Sequence, residues 1–167
     1  MLLFLTKERY YSCMKVSNRS LYYVFAQIVL LVLIIFGPDL ITFNSKNVFL
    51  DLFGLFFILF GIYGVLVASF SIRTSLSIFP DPKKGAKLAQ GGLYKYVRHP
   101  IYSSVLFFSL GVVLIDDSYF KLILLVLLYV LFYYKSIFEE ELLSKKFKDY
   151  KEYARKTPRF IPFPKRS

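Results

Sequence analysis

Long apolar runs are the feature of this sequence that most limits its possible folds. Residues 20–37 contain no charged residue, and further apolar runs follow at about 47–70, 101–115 and 119–138. Spanning the hydrocarbon core takes about 20 apolar residues per helix, and the backbone there must satisfy its own hydrogen bonds. The sequence therefore predicts an all-α, polytopic membrane protein with about four transmembrane helices. The run at 101–115 is short for a crossing, which predicts a tilted helix or a locally thinned bilayer.

Charge placement supports this interpretation and predicts an orientation. Tyr and Phe number 14 and 19, which suits lipid-facing helices with tyrosines at the interfaces. Of the 22 Lys and Arg residues, all but Lys46 and Lys121 lie in the first 19 residues, in the loop at 71–100 or from position 135 onward. Basic segments of multi-pass proteins face the cytoplasm. We therefore expect both termini, the central loop and any site that they form to be cytoplasmic.

The same residues argue against several other classes of protein. The net charge of +11 is explained by basic loops at the membrane ends, so no nucleic acid partner is expected. A single cysteine, Cys13, and a single histidine, His99, do not make a metal site. Length predicts one integral-membrane domain over 1–167. No strong dimerisation face stands out, and the oligomeric state stays open. Three glycines are instead expected to allow close helix packing within the bundle: Gly54, Gly61 and Gly64.

The stretch from Gly91 to Tyr102 is the first candidate for a binding site. It carries the only histidine, and Pro100 stands where a helix would begin, at a position where a missing N–H has no cost. His99 and Tyr102 would share one face of that helix because they are three residues apart. They can line a pocket for a polar ligand. The alternative is a basic, aromatic membrane anchor, which is the better interpretation for Arg98 alone.

A second candidate lies where the fourth apolar run passes without a breaker into Glu139, Glu140 and Glu141. Lys135 and Glu139 are four residues apart, but Lys before Glu is the less favourable order, so a surface pair gives little stability. A carboxylate near the membrane surface can hold a cationic ligand, and a lysine an anionic one. A rotation of about 100° per residue turns Glu141 away from Glu139. The alternative here is a solvated helix face.

The tail after residue 146 is amphipathic and aromatic, and its prolines at 158, 162 and 164 stop any further long helix. Two interpretations of the tail are equally compatible with this pattern. It can be an interfacial helix lying on anionic lipid, or a lid over a site built by the other two constellations.

Taken together, these motifs resemble the integral-membrane isoprenylcysteine carboxyl methyltransferases and phospholipid methyltransferases over about residues 50–164. The ordered set that carries the resemblance is Pro80-Asp81-Pro82…Gly85-Ala86-Lys87-Leu88, Gly92-x-Tyr94-x-x-Val97-Arg98-His99-Pro100-x-Tyr102, Glu139-Glu140-x-x-Leu143-x-x-x-Phe147, Tyr150-x-x-Tyr153 and Thr157-Pro158-Arg159-Phe160-Ile161-Pro162. It implies methyl transfer from S-adenosylmethionine, bound in a largely cytoplasmic C-terminal pocket. The implied acceptor is lipophilic or membrane-partitioning, with an isoprenylcysteine-like carboxylate, a phospholipid amine or a thiol at the reacting end.

The resemblance also implies roles for individual residues. Lys135 takes the place of a substrate-facing arginine, without that residue's bidentate fork, and with Glu139 would be catalytic. The cofactor would be held by Glu139 together with Ala86, Lys87, Leu88, Ala89, Tyr94, His99, Pro100, Ile101 and Tyr102. Two alternatives stay open. One is an NADPH-dependent membrane sterol reductase, which has a similar Arg-His-Pro element. The other is a non-enzymatic four-span protein whose basic loops bind anionic lipids.

Overall fold

The computed structural model describes residues 18–42, 47–72 and 88–162. These residues form five α-helices and one 3₁₀ turn, which are α1 (Asn18–Phe36), α2 (Val48–Ser71), the 3₁₀ turn (Gly92–Lys95), α3 (Pro100–Ile115), α4 (Tyr119–Lys146) and α5 (Tyr150–Lys156). Within the same ranges, β pairing is limited to one isolated bridge between Thr42 and Ser118. The all-α prediction is confirmed, whereas the single-domain assignment stays a prediction.

The helix ends follow local sequence rules. Asn47 caps α2 by accepting the Phe49 N–H at 3.0 Å, and Ser118 caps α4 by accepting the Lys121 N–H at 3.3 Å. Pro100 stands in the first turn of α3, as predicted. The helices α1, α2 and α3 have bounds within two residues of the first three predicted apolar runs at each end. The fourth also begins as predicted and continues as one helix beyond its apolar part.

Three helices of the described chain are long and apolar enough to cross a membrane: α1, α2 and α4. The fourth apolar helix, α3, has 16 residues, or about 24 Å at 1.5 Å per residue, against a hydrocarbon core of about 30 Å. It runs antiparallel along α2, with Gly111 opposite Gly54 and Ser104 opposite Gly61. The chain is therefore an integral membrane protein in which the shortest apolar helix lies against a full-length one.

The α2–α3 contact depends on glycine. A Cβ atom at Gly61 would lie only 2.6 Å from the Ser104 carbonyl oxygen and 2.6 Å from the Phe108 nitrogen. At Gly64, a Cβ atom would collide with the hydroxyl of Ser104. That hydroxyl donates to the Pro100 carbonyl at 2.7 Å, so its polar group is satisfied within α3. The predicted close packing at these glycines is confirmed.

The end of the bundle that is remote from His99 is held by an ion-pair cluster. The Lys121 ammonium lies 2.7 Å from an Asp39 oxygen and 2.6 Å from an Asp116 oxygen. The Tyr119 N–H also donates to the Ile41 carbonyl at 3.0 Å. These contacts fix the α1–α2 loop to the α3–α4 loop.

The apolar core joins α1, α4 and the tail. Its buried members are Ile34 of α1, then Leu124, Leu128 and Phe132 of α4, and finally Phe160. Burial of Phe160 in this cluster brings the segment after α5 back onto the bundle. That return path places the tail beside the first turn of α3.

Replacing Gly61 with alanine is expected to lower stability by about 1–3 kcal/mol, because the new methyl group meets backbone atoms of α3 that cannot move independently. The unfolding midpoint of the detergent-solubilised protein measures this change. Gly91→Ala is the matched control, since a Cβ at Gly91 has nothing within 4 Å. Equal midpoints for the two variants would show that α2 and α3 do not pack this closely.

Candidate functional site

The backbone of Arg98 and His99 forms one wall of the site, and the tail after α5 covers this wall. The Arg98 N–H donates to the Pro158 carbonyl at 2.9 Å, and the His99 N–H donates to the Arg159 carbonyl at 3.1 Å. Both N–H groups precede or begin α3, where helix geometry leaves them without intrahelical partners. The tail therefore supplies the carbonyls that this turn needs.

Two side chains add to the attachment of the tail. The Ser103 hydroxyl donates to the Phe160 carbonyl at 2.6 Å, and the Tyr153 hydroxyl donates to the Tyr94 carbonyl at 2.6 Å. Burial raises the pKa of Tyr153 to about 12, so its hydroxyl stays protonated at neutral pH. The tail thus forms part of the wall of the site, which agrees with the lid interpretation and not with a helix lying free on lipid.

Glu140 is the centre of a charge cluster formed with Arg98, His99 and Arg159. Arg159 donates to both carboxylate oxygens at 2.9 Å, and Arg98 donates to one of them at 2.8 Å. His99 Nε2 lies 3.1 Å from the other oxygen and carries the hydrogen, because a carboxylate only accepts. The hydrogen bonds that Arg159 donates to Glu140 raise the pKa of Arg159 above its ordinary value. The two-point contact with Arg159 is the strong geometry for an ion pair.

The anchor interpretation of Arg98 is wrong. Its side chain is 9% exposed and points to Glu140, whereas an anchor would extend to the lipid headgroups. The physical reason is the buried carboxylate, which would have no compensating charge if Arg98 left it. Arg98 is part of the site.

Glu139 has a different environment from Glu140. The Tyr102 hydroxyl donates to Glu139 Oε1 at 2.5 Å. Glu139 Oε2 faces His99 Nδ1 at 3.6 Å, which is beyond hydrogen-bond distance. Among the residues that the structure describes, Glu139 has no arginine or lysine within ion-pair distance. Glu141 is exposed, which confirms the prediction that it faces away.

Aromatic rings connect the stretch from Gly91 to Tyr102 with helix α4. The His99 and Tyr102 rings stack with centroids 5.3 Å apart and planes 5° from parallel. Tyr102 stacks in turn on Phe132 of α4 at 4.5 Å. The predicted common face of His99 and Tyr102 is confirmed, and it lies against the helix that carries Glu139.

Lys135 lies next to this stack but does not pair with Glu139. Its ammonium donates to the Gln27 side-chain carbonyl of α1 at 2.8 Å and lies 5.0 Å from the centroid of the Tyr102 ring. The Lys135 side chain is buried. An amide oxygen and an aromatic face hold the cation without neutralising it.

The remaining predicted cofactor residues fall in four groups. Tyr94 is half-buried beside the tail, where its carbonyl accepts the Tyr153 hydroxyl, and burial, Tyr153 and the charge of Glu139 raise the pKa of its phenol well above the ordinary value. The first turn of α3 contributes Pro100, which is buried, and Ile101, which is half-buried. Leu88 and Ala89 are half-buried in the segment before the 3₁₀ turn. Ala86 and Lys87 lie outside the described residues.

Metal chemistry gains no support from the parts of the chain between 18 and 162 that the structure describes. No group of three or more His, Cys, Asp or Glu side chains that could hold a metal ion occurs there. The absence of a metal site, expected from the lone histidine and cysteine, stays a prediction. The acidic side chains of the site are bound to arginine, tyrosine and histidine instead.

Sequence reasoning missed two members of this region. The sequence pattern places Arg159 in an aromatic tail and Gln27 in an apolar span. The signal for Gln27 was an isolated amide in an otherwise apolar membrane helix, since such polar residues are expensive in lipid and usually face the bundle interior. For Arg159 the signal was weak, because many basic residues flank it.

Comparison with known proteins adds two findings. The model of the phospholipid methyltransferase family matches residues 49–150, which run from the start of α2 to the start of α5. The nickel-cobalt-cadmium resistance protein NccN of Alcaligenes xylosoxydans xylosoxydans is 31% identical over 100 residues, which are 59% of this chain and 46% of that protein. The chain thus aligns with less than half the length of this curated relative. The family match includes His99, Tyr102, Glu139 and Glu140, whereas α1 and Arg159 lie outside it.

Glu140→Gln is expected to destabilise the protein by about 3–5 kcal/mol, because it leaves the Arg98 guanidinium, which is 9% exposed, and the half-buried Arg159 guanidinium without their carboxylate. The tail should then detach, and limited trypsin digestion of the purified protein should cut sooner after Lys151 or Arg155. Glu141→Gln is the control, since that side chain is exposed. If both variants resist trypsin as well as the parent protein, Glu140 does not hold the tail.

Proposed function

The chain belongs to the phospholipid methyltransferase family, and from that membership we propose that it transfers a methyl group from S-adenosylmethionine to a lipophilic or membrane-partitioning acceptor. The observation that carries the proposal is the contrast between two adjacent glutamates. Glu140 is neutralised by arginine, whereas Glu139 keeps a carboxylate oxygen without a hydrogen bond from the described residues. A site for a cationic donor needs such a carboxylate.

The residues around Glu139 fit this cofactor. A sulfonium is attracted by a carboxylate and by aromatic faces, and Tyr102 offers both its ring and the hydroxyl that fixes Glu139. The His99 ring stacks on the Tyr102 ring and orients it. We assign Glu139, Tyr94, His99, Pro100, Ile101 and Tyr102 to the cofactor pocket, with Ala86, Lys87, Leu88 and Ala89 as its loop side.

S-adenosylmethionine, when bound, supplies the transferable methyl group on a positively charged sulfur. The chain contributes alignment and exclusion of water, which are the main requirements of an in-line displacement. Glu139 offsets the charge of the bound donor, and Glu140 with its arginines keeps the tail closed over the same region. A carboxylate acceptor would need no base. An amine or thiol acceptor would lose its proton to Glu139 or His99.

Lys135 is proposed to face the acceptor. Its ammonium lies one helical turn from Glu139 and is buried toward the membrane part of α4. A cation at this position can hold an anionic group of the acceptor on the lipid side, while the cofactor reaches Glu139 from the aqueous side. This arrangement explains why the site lies at the end of the apolar part of α4.

Both termini and the site are proposed to face the cytoplasm, within one integral-membrane domain. Ser71 at the end of α2 lies beside Gly92, so the site is at the same end of the bundle as the start of α1 and the tail. Basic residues are concentrated in the segments at that end. At the opposite end, Lys121 is balanced by Asp39 and Asp116.

Glu139→Gln is expected to weaken binding of S-adenosylmethionine about tenfold or more, because the charge-assisted contact between the carboxylate and the sulfonium is replaced by a neutral one. Isothermal titration of the purified protein measures the affinity, and the unfolding midpoint reports whether the fold is retained. Glu141→Gln should bind like the parent protein. An unchanged affinity in Glu139→Gln would remove Glu139 from the cofactor pocket.

The parent protein is expected to bind S-adenosylhomocysteine and not NADPH. A parallel titration with NADPH tests the reductase alternative, because the two cofactors share the adenosine part but differ in charge. Binding of NADPH alone would contradict the proposed methyl transfer and support the reductase. Binding of neither cofactor would leave the non-enzymatic lipid-binding alternative.

The orientation is tested by labelling single cysteines with a membrane-impermeant maleimide in intact cells. In a Cys13→Ser background, Leu40→Cys should be labelled from outside and Lys148→Cys only after the membrane is opened. Both positions are exposed, so access depends on the side of the membrane and not on burial. The reverse pattern would place the site on the outer side.

A further inference from the structure

Lys135 and Glu139 of α4 have opposite charges and lie four residues apart, yet they do not form an ion pair with each other. Residues at this spacing are neighbours on a helix, and a buried ammonium is strongly stabilised by a carboxylate that reaches it. The Lys135 side chain is buried, and the charge of Glu139 acts on it. Their separation therefore requires a group that holds the ammonium elsewhere.

The two charged groups have different hydrogen-bond partners. The Lys135 ammonium donates to the side-chain carbonyl of Gln27 at 2.8 Å, and the Tyr102 hydroxyl donates to Glu139 at 2.5 Å. Lys135 Nζ also lies 5.0 Å from the centroid of the Tyr102 ring. An aromatic face attracts a cation but fixes its position less than a directional hydrogen bond does. Among the side chains that the structure describes, Gln27 is therefore the one that sets the position of the ammonium.

Gln27 is held in place by the packing of α1. Ser20 and Ile34 lie seven residues before and after it, and both are 0% exposed. Residues seven apart share one face of a helix, so Gln27 belongs to the face of α1 that packs into the bundle. Ile34 is also a member of the apolar core that includes residues of α4. The amide thus reaches Lys135 from a helix whose rotation other contacts fix.

We propose that Gln27 is a positioning residue, which holds the Lys135 ammonium away from Glu139 and so keeps the Glu139 carboxylate free for the methyl donor. The inference rests on the proposed function, because it takes the sulfonium of S-adenosylmethionine as the ligand of Glu139. Without the amide, the buried ammonium would keep only an aromatic face, and Glu139 is the carboxylate one turn away. An ion pair between them would occupy the carboxylate that the donor needs.

This role comes from outside the region that the family shares. The family model matches residues 49–150, whereas Gln27 belongs to α1. The family match therefore includes Lys135 and Glu139 but not the group that separates them. Gln27 acts on the cofactor pocket only through Lys135, and its effect should disappear when the lysine is removed.

Gln27→Leu tests this role, because leucine suits an apolar span but accepts no hydrogen bond. Isothermal titration of the full-length purified variant measures its affinity for S-adenosylmethionine, and separately for S-adenosylhomocysteine, whose sulfur is neutral. We expect S-adenosylmethionine to bind about tenfold more weakly, as for a lost charge-assisted contact, and S-adenosylhomocysteine to change less than about twofold. If Gln27 only joined α1 to α4, both ligands would lose affinity alike.

Two further variants identify Lys135 as the competing group. Adding Lys135→Met to Gln27→Leu should restore the S-adenosylmethionine affinity to that of Lys135→Met alone, because no ammonium then competes for Glu139. Gln27→Glu should bind S-adenosylmethionine at least as tightly as the parent protein, because its carboxylate still accepts a hydrogen bond from Lys135. The unfolding midpoint reports whether each variant keeps its fold.

A second measurement needs no cofactor. Dicyclohexylcarbodiimide enters membranes and couples an amine to a carboxylate in contact with it, and the reagent takes up the water that is lost as the amide bond forms. Mass spectrometry of the peptide that contains Lys135 and Glu139 should locate this bond between the two residues in Gln27→Leu. The parent protein should not form it.

Three results would overturn the inference. Equal affinity of Gln27→Leu and the parent protein for S-adenosylmethionine would show that Gln27 does not keep Glu139 free. A loss of affinity that persists after Lys135→Met is added would assign the effect to helix packing. Absence of the coupled product in Gln27→Leu would show that Lys135 stays away from Glu139 without the amide. A parent protein that does not bind S-adenosylmethionine would contradict the proposed function instead, and the coupling reaction would still test the position of Lys135.

Discussion

The ion pairs of Glu140 are the interaction on which the site depends. They join three segments that are far apart in sequence: the turn before α3, the part of α4 that continues beyond its apolar run, and the tail after α5. Each segment alone carries charges that could not remain buried near lipid. Together these charges offset one another, and the backbone N–H groups of Arg98 and His99 donate to carbonyls of the tail beside them. The cluster is therefore a condition for the pocket wall.

The same cluster explains why Glu139 is available for a ligand. Adjacent residues of a helix point about 100° apart, so two neighbouring carboxylates can enter one site without touching the same partners. The guanidinium groups of Arg98 and Arg159 both go to Glu140, which leaves Glu139 with a phenol and the edge of an imidazole. A uniform distribution of the cations would have given two satisfied carboxylates and no place for a positively charged donor. The proposed function rests on this unequal distribution of the two arginines.

Much of this architecture could be predicted from sequence because it follows from local rules. Apolar runs and caps fix the helices, and the spacing of His99 and Tyr102 fixes their common face. Glu141 could be excluded by helix rotation alone. Long-range partners could not be predicted in this way, since nothing in the pattern tells which of the many arginines and lysines meets Glu140. Arg98 therefore seemed an anchor, and its true role depends on a contact with a residue 42 positions away.

Gln27 illustrates the same limit more sharply. It bonds to a residue 108 positions away, across the interface between α1 and α4. One amide in a span of this length changes the mean hydropathy little, so the helix was predicted correctly. The contact that the Gln27 side chain makes could not be predicted from hydropathy. A polar residue in such a span nevertheless needs a partner inside the bundle. That requirement identifies Gln27 as a functional candidate, although it does not identify Lys135 as the partner.

The two ends of α4 show how charge compensation separates structure from function in this protein. At one end the positive charge of Lys121 is offset by Asp39 and Asp116, so it is compensated within the chain. At the other end Lys135 and Glu139 lie one turn apart and form hydrogen bonds with different partners, Gln27 and Tyr102. The charge of Glu139 acts on Lys135 without a direct ion pair between the two groups. Because they do not pair directly, the proposed function can assign Glu139 to the cationic methyl donor and Lys135 to the acceptor, with Tyr102 in contact with both side chains.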